Sequence, residues 1–82
     1  MKNLKSISII EQAINQNWTG IFLANKYLIN GYAKDQIVEI LSGFLPQANN
    51  GLNDEAVKLI CNAIKATTTS SWKEVEAVYR VA

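Results

Sequence analysis

Residues 30–51 read NGYAKDQIVEILSGFLPQANNG, and this stretch decides the fold. Its apolar residues recur at the i, i+3, i+4, i+7 and i+8 spacing of one helical face: Ile37, Ile40, Leu41, Phe44 and Leu45. The pattern predicts an amphipathic helix over about residues 34–42. Gly43 favours an end to this helix, and Pro46 disfavours helical geometry at the residue before it. We therefore expect residues 46–52, PQANNGL, to form a loop.

A first helix is predicted upstream, over about residues 4–17. Apolar residues again follow one helical face: Leu4, Ile7, Ile10, Ile14 and Trp18. Ser8 and Glu11 would form a capping box if this helix begins later, at Ile9. The alternating sequence SISII also permits a short strand, but no second strand is apparent in the sequence to pair with it.

The second predicted helix lies between Thr19 and Gly31. Thr19 is a suitable N-cap, and Gly31 suits the left-handed backbone that follows many helix ends. The sequence between them, IFLANKYLI, leaves Asn25 and Lys26 as its polar interior positions. A helix that is apolar around most of its circumference is normally buried on several sides. We therefore expect this helix to be the central one.

Two further helices are predicted after the loop. The fourth begins at Asn53 as N-cap, with Asp54 and Glu55 in its first turn, where the helix dipole favours negative charge. It is expected to fray in the threonine run at residues 67–69. The fifth begins at Ser71 and continues to the end of the sequence.

These segments predict an all-α fold, a compact bundle of about five short helices, with residues 1–82 forming a single domain. The chain has a mass of 9.1 kDa, and surface scaling laws give about 63% burial of its unfolded surface. Hydrophobic residues make up 49% of the sequence and charged residues 18%. Since charged residues are usually about 25% of a chain, too few are present to cover the outer faces of all the helices. We therefore expect some apolar surface to remain exposed.

The sequence contains no motif that indicates catalysis, a metal or a cofactor. Histidine, the commonest general base and metal ligand, is absent. The glycines are separated along the chain and form no phosphate-binding pattern. The single cysteine, Cys61, cannot form an intrachain disulfide, and its apolar surroundings predict that it is buried. We expect no enzymatic activity, no cofactor and no metal.

A cytoplasmic protein is the default expectation. No apolar run approaches the roughly 18 residues that a membrane span needs, and the N-terminus lacks the sustained apolar segment of a signal peptide. A membrane-active helical protein such as a bacteriocin is a further alternative. Basic amphipathic faces would be expected to outnumber acidic ones in such a protein, whereas here charge is nearly balanced, with eight basic and seven acidic residues.

Residues 30–41, NGYAKDQIVEIL, resemble the first helix of helix-turn-helix regulators, where a glycine and a small residue precede a short amphipathic helix. The resemblance implies a short turn followed by a polar recognition helix. The sequence departs from that pattern after Leu41, because Pro46 and paired asparagines occupy the place of the second helix. Its basic residues are also scattered, with none adjacent to another. A helix-turn-helix-like nucleic-acid-binding regulator is therefore the alternative function.

The aromatic residues support the leading functional prediction. Tyrosine and tryptophan are enriched at protein interfaces, although most aromatic residues in a small domain fill its core. The sequence predicts a small non-enzymatic interaction module (an inhibitor, immunity protein, adaptor or regulatory subunit) that binds a protein partner stoichiometrically through an exposed apolar and aromatic patch. A homodimer is one form that this would take. The candidate partner-binding residues are Tyr32, Phe44, Trp72 and Tyr79.

Overall fold

The computed structural model describes the backbone of residues 4–51 and 54–81 and the side chains of residues 4–47 and 54–77. Within these ranges the chain forms five α-helices and no strand. The helices are α1 Ser8–Asn15, α2 Gly20–Ile29, α3 Lys34–Gly51, α4 Asp54–Thr68 and α5 Trp72–Val81. The all-α prediction is confirmed. The strand alternative at SISII is wrong, because these residues form a turn and the start of α1.

α1 is shorter than the sequence predicts. Its N-cap is Ile7, which makes no side-chain capping bond, while the Ser8 hydroxyl pairs with the Ser6 hydroxyl at 2.6 Å. The capping box of Ser8 and Glu11 was conditional on a helix that begins at Ile9, and α1 instead begins at Ser8. α1 ends before Asn17, which adopts a φ of 57°, a left-handed conformation that asparagine tolerates better than most residues.

Both predicted boundaries of α2 are confirmed. The Phe22 N–H donates to Thr19 Oγ1 at 3.1 Å, so Thr19 caps the helix through its side chain. Past the other end, Gly31 has a φ of 93°, and its N–H donates to the Leu28 carbonyl at 3.0 Å. Glycine adopts this backbone conformation without steric cost. The chain therefore turns sharply into α3.

α3 differs most from the prediction. A loop was expected from residue 46 onward, but α3 continues through Pro46 to Gly51. Proline cannot donate to the Ser42 carbonyl, and both residues are exposed, so solvent can satisfy that carbonyl. On the opposite side, Leu41 and Phe44 are buried in the core. The predicted cap at Asn53 lies outside the described residues.

α4, rather than α2, is the central helix. It packs against each of the other four helices, whereas α2 packs mainly against α3, α4 and α5. Small side chains on α4, including Ala56, Ala63 and Ala66, are buried at these contacts and allow its neighbours to approach closely. The acidic first turn of α4 at Asp54 and Glu55 is confirmed. The expectation that α2 is buried on several sides is confirmed, since it packs against three helices.

The core has a main part and a small satellite. The main part joins α1, α2, α3 and α4, and its large buried side chains are Leu4, Ile9, Ile10, Leu23, Tyr27, Ile37, Leu41, Phe44, Leu59 and Ile60. The satellite consists of Ala24, Ala66 and Val75, where α5 meets α2 and α4. Cys61, predicted to be buried, is exposed. The side of α4 that carries Leu59 and Ile60 faces the core instead, which turns Cys61 outward.

Two buried polar groups tie distant segments together. The Tyr27 hydroxyl donates to the Leu4 carbonyl at 2.6 Å and so anchors the segment before α1. The Asn25 amide, 1% exposed, donates to the Val75 carbonyl at 3.1 Å and joins α2 to α5. Among the described residues no buried side-chain nitrogen or oxygen lacks a hydrogen-bond partner. These hydrogen bonds fix the joined segments in specific relative positions, in addition to the apolar contacts between them.

Candidate functional site

The predicted partner-binding residues occupy different environments. Tyr32 is half-buried and meets the Tyr27 ring edge-to-face, with centroids 5.5 Å apart. Trp72 is also half-buried, and Lys34 Nζ lies 5.3 Å from the centroid of its ring. Phe44 is 5% exposed and belongs to the main core, because it shares the buried side of α3 with Leu41. Phe44 is therefore not a surface contact.

The side chain of Tyr79 lies outside the described residues, although its backbone is part of α5. Tyr32 precedes α3 and Trp72 opens α5, and their closest aromatic and cationic partners differ. Both side chains pack against the main core, and Lys34, the cationic partner of Trp72, lies two positions after Tyr32.

An apolar surface does exist, on the outer side of α2. Ile29 is 39% exposed, and no other large apolar side chain among the described residues is exposed. Phe22 and Lys26, seven and three positions earlier, are half-buried on the same side of the helix. Trp18, just before α2, meets the Phe22 ring edge-to-face with centroids 5.1 Å apart. We call the surface formed by Trp18, Phe22, Lys26 and Ile29 the α2 face.

The α2 face carries a single positive charge that lies against aromatic rings. Lys26 Nζ is 5.4 Å from the Trp18 ring centroid and 5.2 Å from the Phe22 ring centroid. Each such cation–π contact contributes about 0.5–1 kcal/mol at an exposed site. Together with the edge-to-face pair, these contacts hold the two rings and the lysine in one arrangement. The α2 face is therefore partly ordered before any partner binds.

A recess opens beside Lys26, between α1 and α2. Its volume is about 260 Å³, and its lining residues are Leu4, Ile9, Gln12, Trp18, Lys26 and Asn30. The Asn30 amide donates to the Lys26 carbonyl at 2.8 Å, which orients the Asn30 side chain. The recess thus combines an apolar wall with a cation and two amide side chains. Such a mixed lining is better suited to a small anionic group than to a purely apolar group.

A second, shallower groove lies between the start of α3 and the end of α4. It has a volume of about 500 Å³ and is lined by Lys34, Asp35, Val38, Thr67 and Thr68. The Thr67 and Thr68 hydroxyls donate to carbonyls one turn earlier, at 2.7 and 2.9 Å. Their hydrogens are therefore already engaged within the helix.

Sequence reasoning missed the α2 face. The segment IFLANKYLI was interpreted as a central helix buried on several sides, and Phe22 and Ile29 were not among the candidate partner-binding residues. A usable signal was the i, i+4, i+8 spacing of Trp18, Phe22 and Lys26, which puts a cation in line with two aromatic rings. The spacing does not by itself show that this line faces solvent.

Other kinds of site have less support in the described residues. No three His, Cys, Asp or Glu side chains are grouped so that they could hold a metal ion, and no described helix is long and apolar enough to cross a bilayer. Where the helix-turn-helix resemblance requires a turn after Leu41, α3 continues. The exposed residues of its first turns include Lys34, Asp35 and Glu39, a mixed-charge set.

In comparisons with known proteins, the chain matches no protein-family model, no curated protein and no solved structure.

Proposed function

We propose that this protein is a small non-enzymatic interaction module that binds a protein partner stoichiometrically through the α2 face, as an inhibitor, immunity protein, adaptor or regulatory subunit. The observation that carries the proposal is the exposure of Ile29 beside the half-buried Phe22 and Trp18 on one helix surface. Nearly all other large apolar side chains of the described residues are buried or half-buried against the core. We also propose a cytoplasmic location, since a lone cysteine is typical of reducing compartments.

Burial of apolar area against a partner would supply the binding energy. Each Å² removed from water contributes about 25 cal/mol, so covering Ile29 and the exposed edges of the aromatic pair is favourable. Aromatic side chains in prearranged positions also lose little conformational entropy on binding. Trp18 and Phe22 meet this condition through their mutual contact and through Lys26. They are suitable anchors at the centre of an interface.

The proposal is tested by substituting Ile29→Asp, which puts a charge in the α2 face at an exposed position. Affinity purification from the native host, with quantitative mass spectrometry, compares the wild type with this variant. Asn15→Asp, which changes an exposed residue of α1, serves as the matched control. We expect one protein to be recovered in about equimolar amount with the wild type and the control, and to be lost with Ile29→Asp.

Circular dichroism and thermal unfolding must show that both variants are folded. Equal recovery of the same protein with Ile29→Asp, or no recovered protein with any bait, would contradict the proposal. Size-exclusion chromatography with light scattering tests the homodimer form separately. A dimer that dissociates on Ile29→Asp would identify the partner as a second copy.

A further inference from the structure

Lys26 is the one cation of the α2 face, and its described interactions are with the Trp18 and Phe22 rings. Among the described residues no carboxylate forms an ion pair with it. Any partner that covers Phe22 and Ile29 would also remove water from the Lys26 ammonium. A desolvated cation without an anion is unfavourable, whereas a paired one is compensated by charge-assisted hydrogen bonds. Charge complementarity therefore favours a partner that brings an anion to this position.

The recess beside Lys26 provides room for that anion. At about 260 Å³ it is large enough for an acidic side chain, and it is open to solvent beside the exposed part of α2. The Lys26 ammonium would donate to the carboxylate, and the Gln12 and Asn30 amides line the same recess. The apolar wall from Leu4 and Ile9 excludes water on one side, which strengthens the ion pair.

A second copy of this chain fits the α2 face less well. In a two-fold symmetric dimer the α2 face would meet the α2 face of the other copy, so two Lys26 ammonium groups would be buried in one interface, where their like charges repel. The residues that define the α2 face include no carboxylate that could compensate for this repulsion. A different protein that supplies a carboxylate avoids the penalty.

We infer that the α2 face binds an apolar segment of another protein that carries an Asp or Glu side chain, and that this carboxylate enters the recess and pairs with the Lys26 ammonium. The inference rests on the proposed function and adds the chemistry of the partner. The apolar residues of the segment cover Phe22 and Ile29, while its acidic residue sets register and orientation.

The test uses a displayed library of amphipathic helical peptides, randomised at apolar and polar positions and selected on the folded chain of 82 residues. Fluorescence anisotropy then measures the affinity of enriched peptides for the wild type, for Lys26→Glu and for Lys65→Glu. Lys65 is an exposed lysine of α4 and provides the matched charge reversal. We expect an Asp or Glu among the apolar residues of the enriched peptides. We also expect a loss of affinity of about tenfold or more with Lys26→Glu and little change with Lys65→Glu.

Charge reversal in the peptide completes the test, because an acidic-to-Lys peptide should bind Lys26→Glu better than it binds the wild type. Enriched peptides without an acidic residue, affinities that Lys26→Glu leaves unchanged, or no enriched peptide would each overturn the inference. Some peptides could bind the Lys26→Glu variant as tightly as the wild type and yet fail to bind the Ile29→Asp variant. That result would refute the carboxylate pairing and leave the proposed function standing. The host purification with Ile29→Asp judges the proposed function independently.

Discussion

Gly20 sets how closely α2 approaches α4. A Cβ atom at this position would lie 2.6 Å from the Asn62 carbonyl carbon and 2.7 Å from the Ala63 nitrogen, both of them backbone atoms. Because backbone cannot move aside as a side-chain end can, Gly20→Ala must shift one helix against the other. We expect a loss of about 1–3 kcal/mol in the free energy of unfolding, measured by urea denaturation.

Gly43 provides the matched control for that substitution. It lies inside α3, and a Cβ there would have no heavy atom within 4 Å. Gly43→Ala should therefore stabilise the protein by about 0.5–1 kcal/mol, because alanine favours the helix more than glycine does. If both substitutions destabilise equally, close packing at Gly20 is not the cause.

Tyr27 predicts how stability depends on pH. Burial raises the pKa of its phenol above the ordinary value, and the neighbouring Tyr32 adds to the increase. The neutral phenol therefore stabilises the fold fully below the ordinary pKa of about 10, and this contribution is lost as the pH rises toward the folded-state pKa. We expect the free energy of unfolding to fall above about pH 10 more steeply than in Tyr27→Phe.

Tyr27→Phe also removes the hydrogen bond to the Leu4 carbonyl, which should cost about 1–3 kcal/mol at neutral pH. The difference in stability between the two proteins should thus narrow as the pH rises. All other ionisable groups are present in both proteins, so the comparison isolates the Tyr27 phenol. Parallel pH profiles would refute a raised pKa at this position.

α3 shows where local sequence rules fail. Pro46 disfavours a helix by about 3 kcal/mol, and by that rule the helix should end before it. Pro46 is exposed, as is Ser42, whose carbonyl loses its donor and can be hydrated instead, which reduces the cost of the proline here. The amphipathic stripe was visible in sequence, but the exposure of Pro46 and Ser42 was not.

α2 shows the same limit for the candidate site. Its existence, its Thr19 cap and its Gly31 end followed from residue types with known local preferences. Which side faces solvent did not, because apolar residues occupy most of its circumference. The docking of α5 against α2 determines which side faces solvent, because it buries the polar Asn25 and leaves the apolar Ile29 exposed. Residue polarity alone would predict the opposite.

The Asn25 amide is expected to fix α5 in place. It donates to the Val75 carbonyl from a fully enclosed position, and α5 otherwise joins α2 through the small satellite of Ala24, Ala66 and Val75. Asn25→Ala should lower the free energy of unfolding by about 1–3 kcal/mol. It should also speed amide hydrogen exchange in α5 more than in α4.

Asn15→Ala is the control for this loss, because Asn15 is exposed on α1. Hydrogen exchange with mass spectrometry should show little change in that variant. Uniformly faster exchange across α4 and α5 in Asn25→Ala would mean that the amide supports the whole core and not the docking of one helix.

The molecule as a whole has an ordinary accessible surface area for its mass. Its accessible surface is 5086 Å², close to the roughly 4,900 Å² that scaling predicts for a folded chain of this mass. The excess of hydrophobic residues therefore leads to a normal surface area. What distinguishes the described surface is the concentration of its aromatic and exposed apolar groups along α2.

The charge distribution yields the last prediction, which concerns nucleic acid. The exposed lysines of the described residues are spread over four segments: the turn before α1 (Lys5), α3 (Lys34), α4 (Lys58 and Lys65) and α5 (Lys73). Carboxylates accompany several of them, as Asp35 and Glu39 do in α3 and Glu74 does in α5. Because duplex affinity depends on neutralising several phosphates at once, we expect no binding to labelled duplex DNA at low salt in fluorescence anisotropy. Binding that weakens steeply with added salt would instead support the helix-turn-helix-like regulator, and with it a surface role for the lysines that the α2 face does not explain.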